Sequence, residues 1–313
     1  MCCLFGLIDY RNTLTAKEKN RTIHSLATAA EARGTDAAGI AYCSRGEIQV
    51  YKRPVPGHCL RARLPKNVSV IMGHTRLTTQ GSAKKNFNNH PFRATAGKTS
   101  FALAHNGMIY NDLELRRKEK LPRTKIRTDS YVAVQLLEHS GEIHAATLAA
   151  MAEKLEGSFS ITVLDHQNNL YFIKGNNPLC IYHLPNQGLY VYASTREILD
   201  RALLPLPFLW DRQEEVPLVC GDILQIDASG KLTRSHFDAC RLWWGGWSSS
   251  ACVLPTWNGI KRTAHTEHGK SDYVQALYSV ACSFGFSPWT IDQLLQDGFT
   301  EEEIEDYLYC GEV

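Results

Sequence analysis

The chain has 313 residues, enough for one substantial domain and a smaller appendage. Its hydrophobic share of 44% and charged share of 21% are those of an ordinary globular protein and exclude a disordered or fibrous chain. With 34 basic against 32 acidic residues and a net charge of +2, no bulk field draws nucleic acid or a membrane surface, and neither is expected as a partner. The opening apolar run is too short for a signal peptide and lacks its basic flank, and no run reaches membrane-spanning length. The ten cysteines are scattered, so reduced thiols and a cytoplasmic location are expected.

In chain order, Cys2 to Ile8 reads as a buried strand, and Thr15 with Glu18 has the spacing of a capping box opening a helix. Ile23, Leu26, Ala27 and Ala30 give that helix its apolar face, and Gly34 is expected to punctuate its end. Strands are predicted at Ala37 to Cys43, Ile48 to Arg53, Val68 to His74 and Phe101 to His105. Helices follow at Asp129 to His139 and Ile143 to Leu155. Hairpins then run from Phe159 to Asp165 and Leu170 to Lys174, from Cys180 to Leu184 and Leu189 to Ala193, and from Gly221 to Ile226 onward past Ser229-Gly230. Hairpins interrupted by grouped helices indicate an α+β protein with helices on the outer faces of its sheets. The compact pattern covers residues 2–240. Residues 241–270, rich in Trp, Gly, Ser and Thr, read as a linker or strap, and residues 271–313 as a small helical module with helices at Asp272 to Ser283, Ser287 to Gln296 and Thr300 to Tyr309.

Cys2 admits two readings. It is either a small buried hydrophobe in a strand or, once Met1 is removed, a residue carrying both a thiol nucleophile and an α-amine base that titrates at roughly 7.7–8.0. The motifs downstream favour the second. They are Cys2 to Gly6, Arg33-Gly34-Thr35-Asp36-Ala37-Ala38-Gly39, Gly73 to Gly81, Asn89-His90-Pro91-Phe92, His105-Asn106-Gly107, Thr128-Asp129 and Ala193-Ser194. In that order and separation the chain, over roughly residues 2 to 235, resembles the class II glutamine amidotransferases, N-terminal-nucleophile enzymes that include glucosamine-6-phosphate synthase and amidophosphoribosyltransferase.

The resemblance implies a four-layer αββα sandwich and a Cys2 thioester, with ammonia released first and glutamate by hydrolysis. It assigns the oxyanion donors to the Asn106 side chain and the Gly107 backbone, although Asn-Gly is also a common turn pair. Arg76 and Asp129 match the residues that read the carboxylate and ammonium of free L-glutamine, the alternative being an ordinary ion pair. Thr79 matches the loop that closes over glutamine, His90 the adjoining wall, and Arg33 and Asp36 supports beneath the nucleophile. Cys3 and Gln80 depart from the family pattern. His236, Cys240, Cys252, His265 and His268 lack a zinc spacing, so no metal is expected, and no cofactor is called for. Residues 240–313 are too few for an acceptor domain, so ammonia is expected to pass to a synthase partner in trans. Two other readings stay open: hydrolysis of another small amide or peptide, and an inactive interaction module.

Overall fold

The structure is a computed structural model. It describes residues 2–210 and 212–242 and, beyond these, residues 274, 277, 278, 288–296, 298–301, 303 and 304. The chain forms two compact units, Met1–Leu242 and Trp243–Val313.

The strands of the first unit are β1 (Cys3–Asp9), β2 (Ala37–Ser44), β3 (Glu47–Arg53), β4 (Val70–Arg76), β5 (Phe92–Ala96), β6 (Thr99–Ile109), β7 (Gly157–Asp165), β8 (Leu170–Lys174), β9 (Cys180–Leu184), β10 (Leu189–Ala193), β11 (Glu214–Glu215), β12 (Asp222–Ile226) and β13 (Leu232–His236). They make a seven-stranded sheet, β11-β9-β10-β1-β4-β2-β3, and a six-stranded sheet, β13-β12-β8-β7-β6-β5. Neighbouring strands in both sheets run antiparallel.

Strand alternation explains how the sheets stack. On β1, Cys3, Phe5 and Leu7 join one core cluster while Leu4 and Ile8 join another. On β6, Phe101 and Leu103 face one cluster and Ala102 and Ala104 the cluster shared with β1. The shared cluster is the layer between the sheets. Helices α1 (Ala16–Ala29) and α5 (Arg196–Leu203) contribute Leu26 and Leu199 to the outer face of the first sheet. Helices α3 (Tyr131–Ser140) and α4 (Ala145–Ala152) contribute Val132 and Leu148 to that of the second. The result is the αββα sandwich. Both faces of β1 are covered, so its sequence from Cys3 to Ile8 is apolar rather than alternating. Each fully buried Leu, Ile or Phe there contributes about 1.5–3 kcal/mol.

Helix α1 starts as its sequence dictates: Thr15 accepts from the Glu18 N–H at 3.2 Å, and the Thr15 N–H donates to the Glu18 carboxylate at 2.8 Å. Its end differs from expectation. The chain leaves the helix through a 3-10 turn, Ala30–Arg33, and Gly34 is extended at φ 172 instead of left-handed. Gly is required there by space, since a Cβ would lie 2.5 Å from the Leu77 nitrogen. β8, β9 and β10 have the predicted bounds, whereas β6 is longer than predicted and carries Asn106-Gly107 inside the strand rather than at a turn. β5, α5 and α2 (Asp112–Lys118) were not anticipated.

In the second unit, α6 (Pro288–Gln296) occupies the expected second helix, with Pro288 at its first turn. Thr300 and Glu303 make reciprocal capping bonds of 2.8 and 3.3 Å. Of the expected first helix, Val274, Leu277 and Tyr278 are helical, and its other residues lie outside the described ones. So does the strap apart from residues 241 and 242. No helix among the described residues is long and apolar enough to cross a membrane.

Candidate active site

Cys2 sits one residue before β1, the strand at the middle of the seven-stranded sheet, flanked by β10 and β4. It is half-buried, and its Sγ lies 3.6 Å from the Leu77 carbonyl oxygen. Its backbone is anchored: Arg33 Nε donates to the Cys2 carbonyl at 3.0 Å, and the Leu4 N–H donates to Ser194 Oγ at 2.9 Å. Burial pushes the Cys2 thiol above its ordinary value, while a backbone hydrogen bond at Leu77 and the charge of Arg76 pull the other way. Cys3, fully buried in the outer core, is raised by the same desolvation.

Ser194 connects the Cys2 strand to the second sheet. The same Oγ accepts from Asn106 Nδ2 at 3.3 Å, so one hydroxyl ties β1 to β6. Asn177 Nδ2 donates to the Asn106 carbonyl at 2.8 Å, and the Asn177 carbonyl accepts from Ser160 Oγ at 2.6 Å and Lys174 Nζ at 2.7 Å. Gly107 follows with φ +139, and a Cβ there would fall 2.0 Å from the Ser158 carbonyl oxygen. Ser194 and Asn177 had no role assigned from sequence. The Ala193-Ser194 motif at the end of a clear strand was the available signal for Ser194, and nothing comparable marks Asn177.

Asp36 fixes the loop beside Cys2, accepting from the Thr78 N–H at 2.7 Å while its own N–H donates to the Arg76 carbonyl at 2.9 Å. Arg76 is buried and donates to Asn89 Oδ1 at 2.7 Å, to the Gly81 carbonyl at 3.3 Å and to the Gln80 carbonyl. Desolvation lowers its guanidinium from the usual value, against the charges of Cys2 and Asp129. Thr79 and Gln80 are exposed at the tip of this loop. Asp129 is buried and accepts from the Ile109 N–H at 2.7 Å and from Ser130 Oγ at 3.3 Å. Arg76 and Asp129 are thus each held by other main-chain and side-chain partners rather than by each other.

His90 packs in a histidine group. Its ring centroid is 4.2 Å from that of His74 and 6.5 Å from that of His105, and neither of its ring nitrogens has a hydrogen-bond partner. Burial brings His74 down to about 3 and holds His90 well below the ordinary histidine value, so both are neutral. His74 shares a 2.9 Å hydrogen bond with the His105 carbonyl, and His105 Nδ1 lies 2.7 Å from Ser130 Oγ. The described residues hold no cluster of three or more His, Cys, Asp or Glu able to bind a metal, and among them Cys2, Cys3, Cys43, Cys59 and Cys220 are free thiols.

The pattern described as a glutamine amidotransferase domain matches residues 74–201. A glutamine–fructose-6-phosphate aminotransferase of Bacillus licheniformis is 34% identical over 185 residues, covering 56% of this chain and 30% of that protein. The Bacillus subtilis enzyme of the same name is 31% identical over 257 residues, 74% of this chain and 42% of that one. The chain therefore spans less than half the length of these curated relatives. Among solved structures, glutamine phosphoribosylpyrophosphate amidotransferase from B. subtilis, complexed with ADP and GMP, superimposes with a TM-score of 0.58 at 20% identity over 76% of this chain and 49% of its own. The allosteric regulatory enzyme of purine biosynthesis gives 0.60 at 20% identity over the same 76% and 49%. The αββα sandwich is thus the fold that these two solved structures share.

Proposed function

We propose that this chain, which carries a class II glutamine amidotransferase domain, hydrolyses the side-chain amide of free glutamine to glutamate and ammonia with Cys2 as nucleophile. The observation that carries the reading is the shared anchoring of Cys2 and Asn106: Arg33 on the Cys2 carbonyl, and Ser194 bonded to both the Leu4 N–H and Asn106 Nδ2.

In this reading Met1 is removed and the freed α-amine of Cys2 takes the thiol proton. The thiolate attacks the amide carbon, and the negative charge that builds on the oxygen is met by the Asn106 side-chain amide and the Gly107 N–H. Asn106 Nδ2 has two N–H groups, so its bond to Ser194 leaves the second for the oxyanion. Collapse breaks the carbon–nitrogen bond, the ammonium returns its proton to the departing nitrogen, and ammonia leaves a Cys2 thioester. Water, giving its proton to the same amine, attacks the thioester and releases glutamate with the thiol restored.

Arg76 reads the α-carboxylate and Asp129 the α-ammonium, with Thr79 closing over the substrate, His90 forming a neutral wall and Asp36 holding the loop. Fixing both charges by hydrogen bonds before substrate arrives lowers the ordering cost of binding. Ammonia then passes to an acceptor synthase in trans or is released as simple glutaminase turnover.

The test is covalent mapping. A glutamine-like electrophile is expected to add once, on Cys2 of chains lacking Met1. Active protein that retains Met1, or an adduct on another cysteine, would overturn the mechanism.

A further inference from the structure

A pocket that Cys2 does not line opens where the free edges of the two sheets meet. β3 ends the seven-stranded sheet and β5 the six-stranded one, and between them opens a cavity of about 350 Å³. Lys52 and Arg53 from β3 and Arg93 from β5 line it, with Phe87, Pro91 and Ile126 among its apolar walls. No carboxylate is among the lining residues. None of the three cations is in an ion pair with another described residue within 4.0 Å.

We propose that this cavity binds a small organic phosphate, its anion held by Lys52 and Arg93 and its apolar or aromatic body against Phe87, Pro91 and Ile126. Size fits the assignment, because small-molecule pockets run from about 300 Å³ upward. Charge specifies the sign of the ligand. Half-buried Lys52 and exposed Arg53 and Arg93 line the cavity without a carboxylate, and a phosphate pairs with such cations through charge-assisted hydrogen bonds. Burial, then the charge of Arg76, brings Lys52 down to about 8, which a bound anion would offset.

Lys52 is also placed to donate. Its Nζ contacts the Pro91 carbonyl at 3.0 Å and the Asn89 carbonyl, which leaves one of its three N–H groups for a ligand. The apolar walls distinguish an organic phosphate from free phosphate. Fixed apolar surface beside the cations gains nothing from a bare anion and stabilises one that carries a hydrophobic group.

Isothermal titration of the full chain tests this with phenyl phosphate and inorganic phosphate as probes. Phenyl phosphate is expected to bind one per chain and more tightly than inorganic phosphate. Arg93→Gln is expected to weaken it about tenfold or more. Lys52 touches the Asn89 carbonyl and Asn89 holds Arg76, so Arg93, exposed on β5, is the variant that spares the candidate glutamine site. Lys52→Gln is expected to lose binding and Lys52→Arg to regain it. Lys66→Gln, at a separate cavity beside α1, should leave it unchanged. Absence of saturable phenyl phosphate binding would overturn the proposal, as would equal affinity for the two probes, or unchanged binding in an Arg93→Gln protein that unfolds at the wild-type temperature.

Discussion

The two ends of β1 handle polar groups in opposite ways. At Asp9 the carboxylate is fully buried and engaged on all sides: the Thr13 and Leu14 N–H groups donate to it at 2.9 and 3.1 Å, and Lys19 Nζ lies 3.0 Å away. At Cys2 the bonds fall on the main chain instead, through Arg33 and Ser194, and the thiol is left with one long contact to the Leu77 carbonyl. A buried charge with full bonding joins strand to helix. A pinned backbone with a lightly engaged side chain is the arrangement a nucleophile needs. The same strand is therefore a structural strut at one end and, under the proposed mechanism, a reactive mount at the other.

The largest expected effect is at the strut. Asp9→Ala should lower unfolding free energy by about 3–5 kcal/mol by leaving Lys19 buried and unpaired. The double change Asp9→Leu with Lys19→Met should recover most of the loss in urea unfolding, because no charge is then stranded. At the mount, Asn106→Ala should cut kcat for glutamine about 100- to 1000-fold with a much smaller change in stability. Ser194→Ala should show both characters. It strands the buried Leu4 N–H, costing about 1–3 kcal/mol, and releases Asn106, lowering kcat with KM less affected. If Asn106→Ala and Ser194→Ala proved as destabilising as Asp9→Ala with unchanged kcat, the contrast between the two ends would vanish.

The smallest effect concerns His74 and His90. Their folded-state pKa values lie below the unfolded value of roughly 6.5, so the unfolded chain takes up protons the folded one refuses. Stability is then complete above about pH 6.5 and is lost as pH falls toward the folded value, which for His74 is about 3. Each such histidine adds up to about 1.4 kcal/mol per pH unit to the slope. His90→Leu should flatten the slope of unfolding free energy between pH 7 and 5.5, and an unaltered slope would mean that His90 titrates normally in the fold.

Much of the architecture was legible in the sequence. The hairpin Cys180–Leu184 and Leu189–Ala193 declared itself by β-rich composition and an intervening turn, and α1 by its capping box. α5 was missed although its signals are present, Thr195 as its cap and Ile198, Leu199 and Ala202 on one face, because a short helix between strands and loops is easily read as loop. The candidate site could be named from sequence as residue types and order, not as contacts. Leu4 meets Ser194 across 190 positions of chain and Asn177 meets Asn106 across 71, and no local pattern encodes such pairs. Asn106-Gly107 shows the limit most clearly. The dipeptide reads as a turn by itself, and only pairing with Ser160 and Phe159 of β7 makes it strand.

The measurement closest to the central claim is ammonia release from free glutamine by wild type and Cys2→Ala, with the N-terminus of each determined. Wild type lacking Met1 should yield ammonia and glutamate in equal amounts, and Cys2→Ala should yield none above background while unfolding at a similar temperature. Equal turnover by the two proteins would contradict the account.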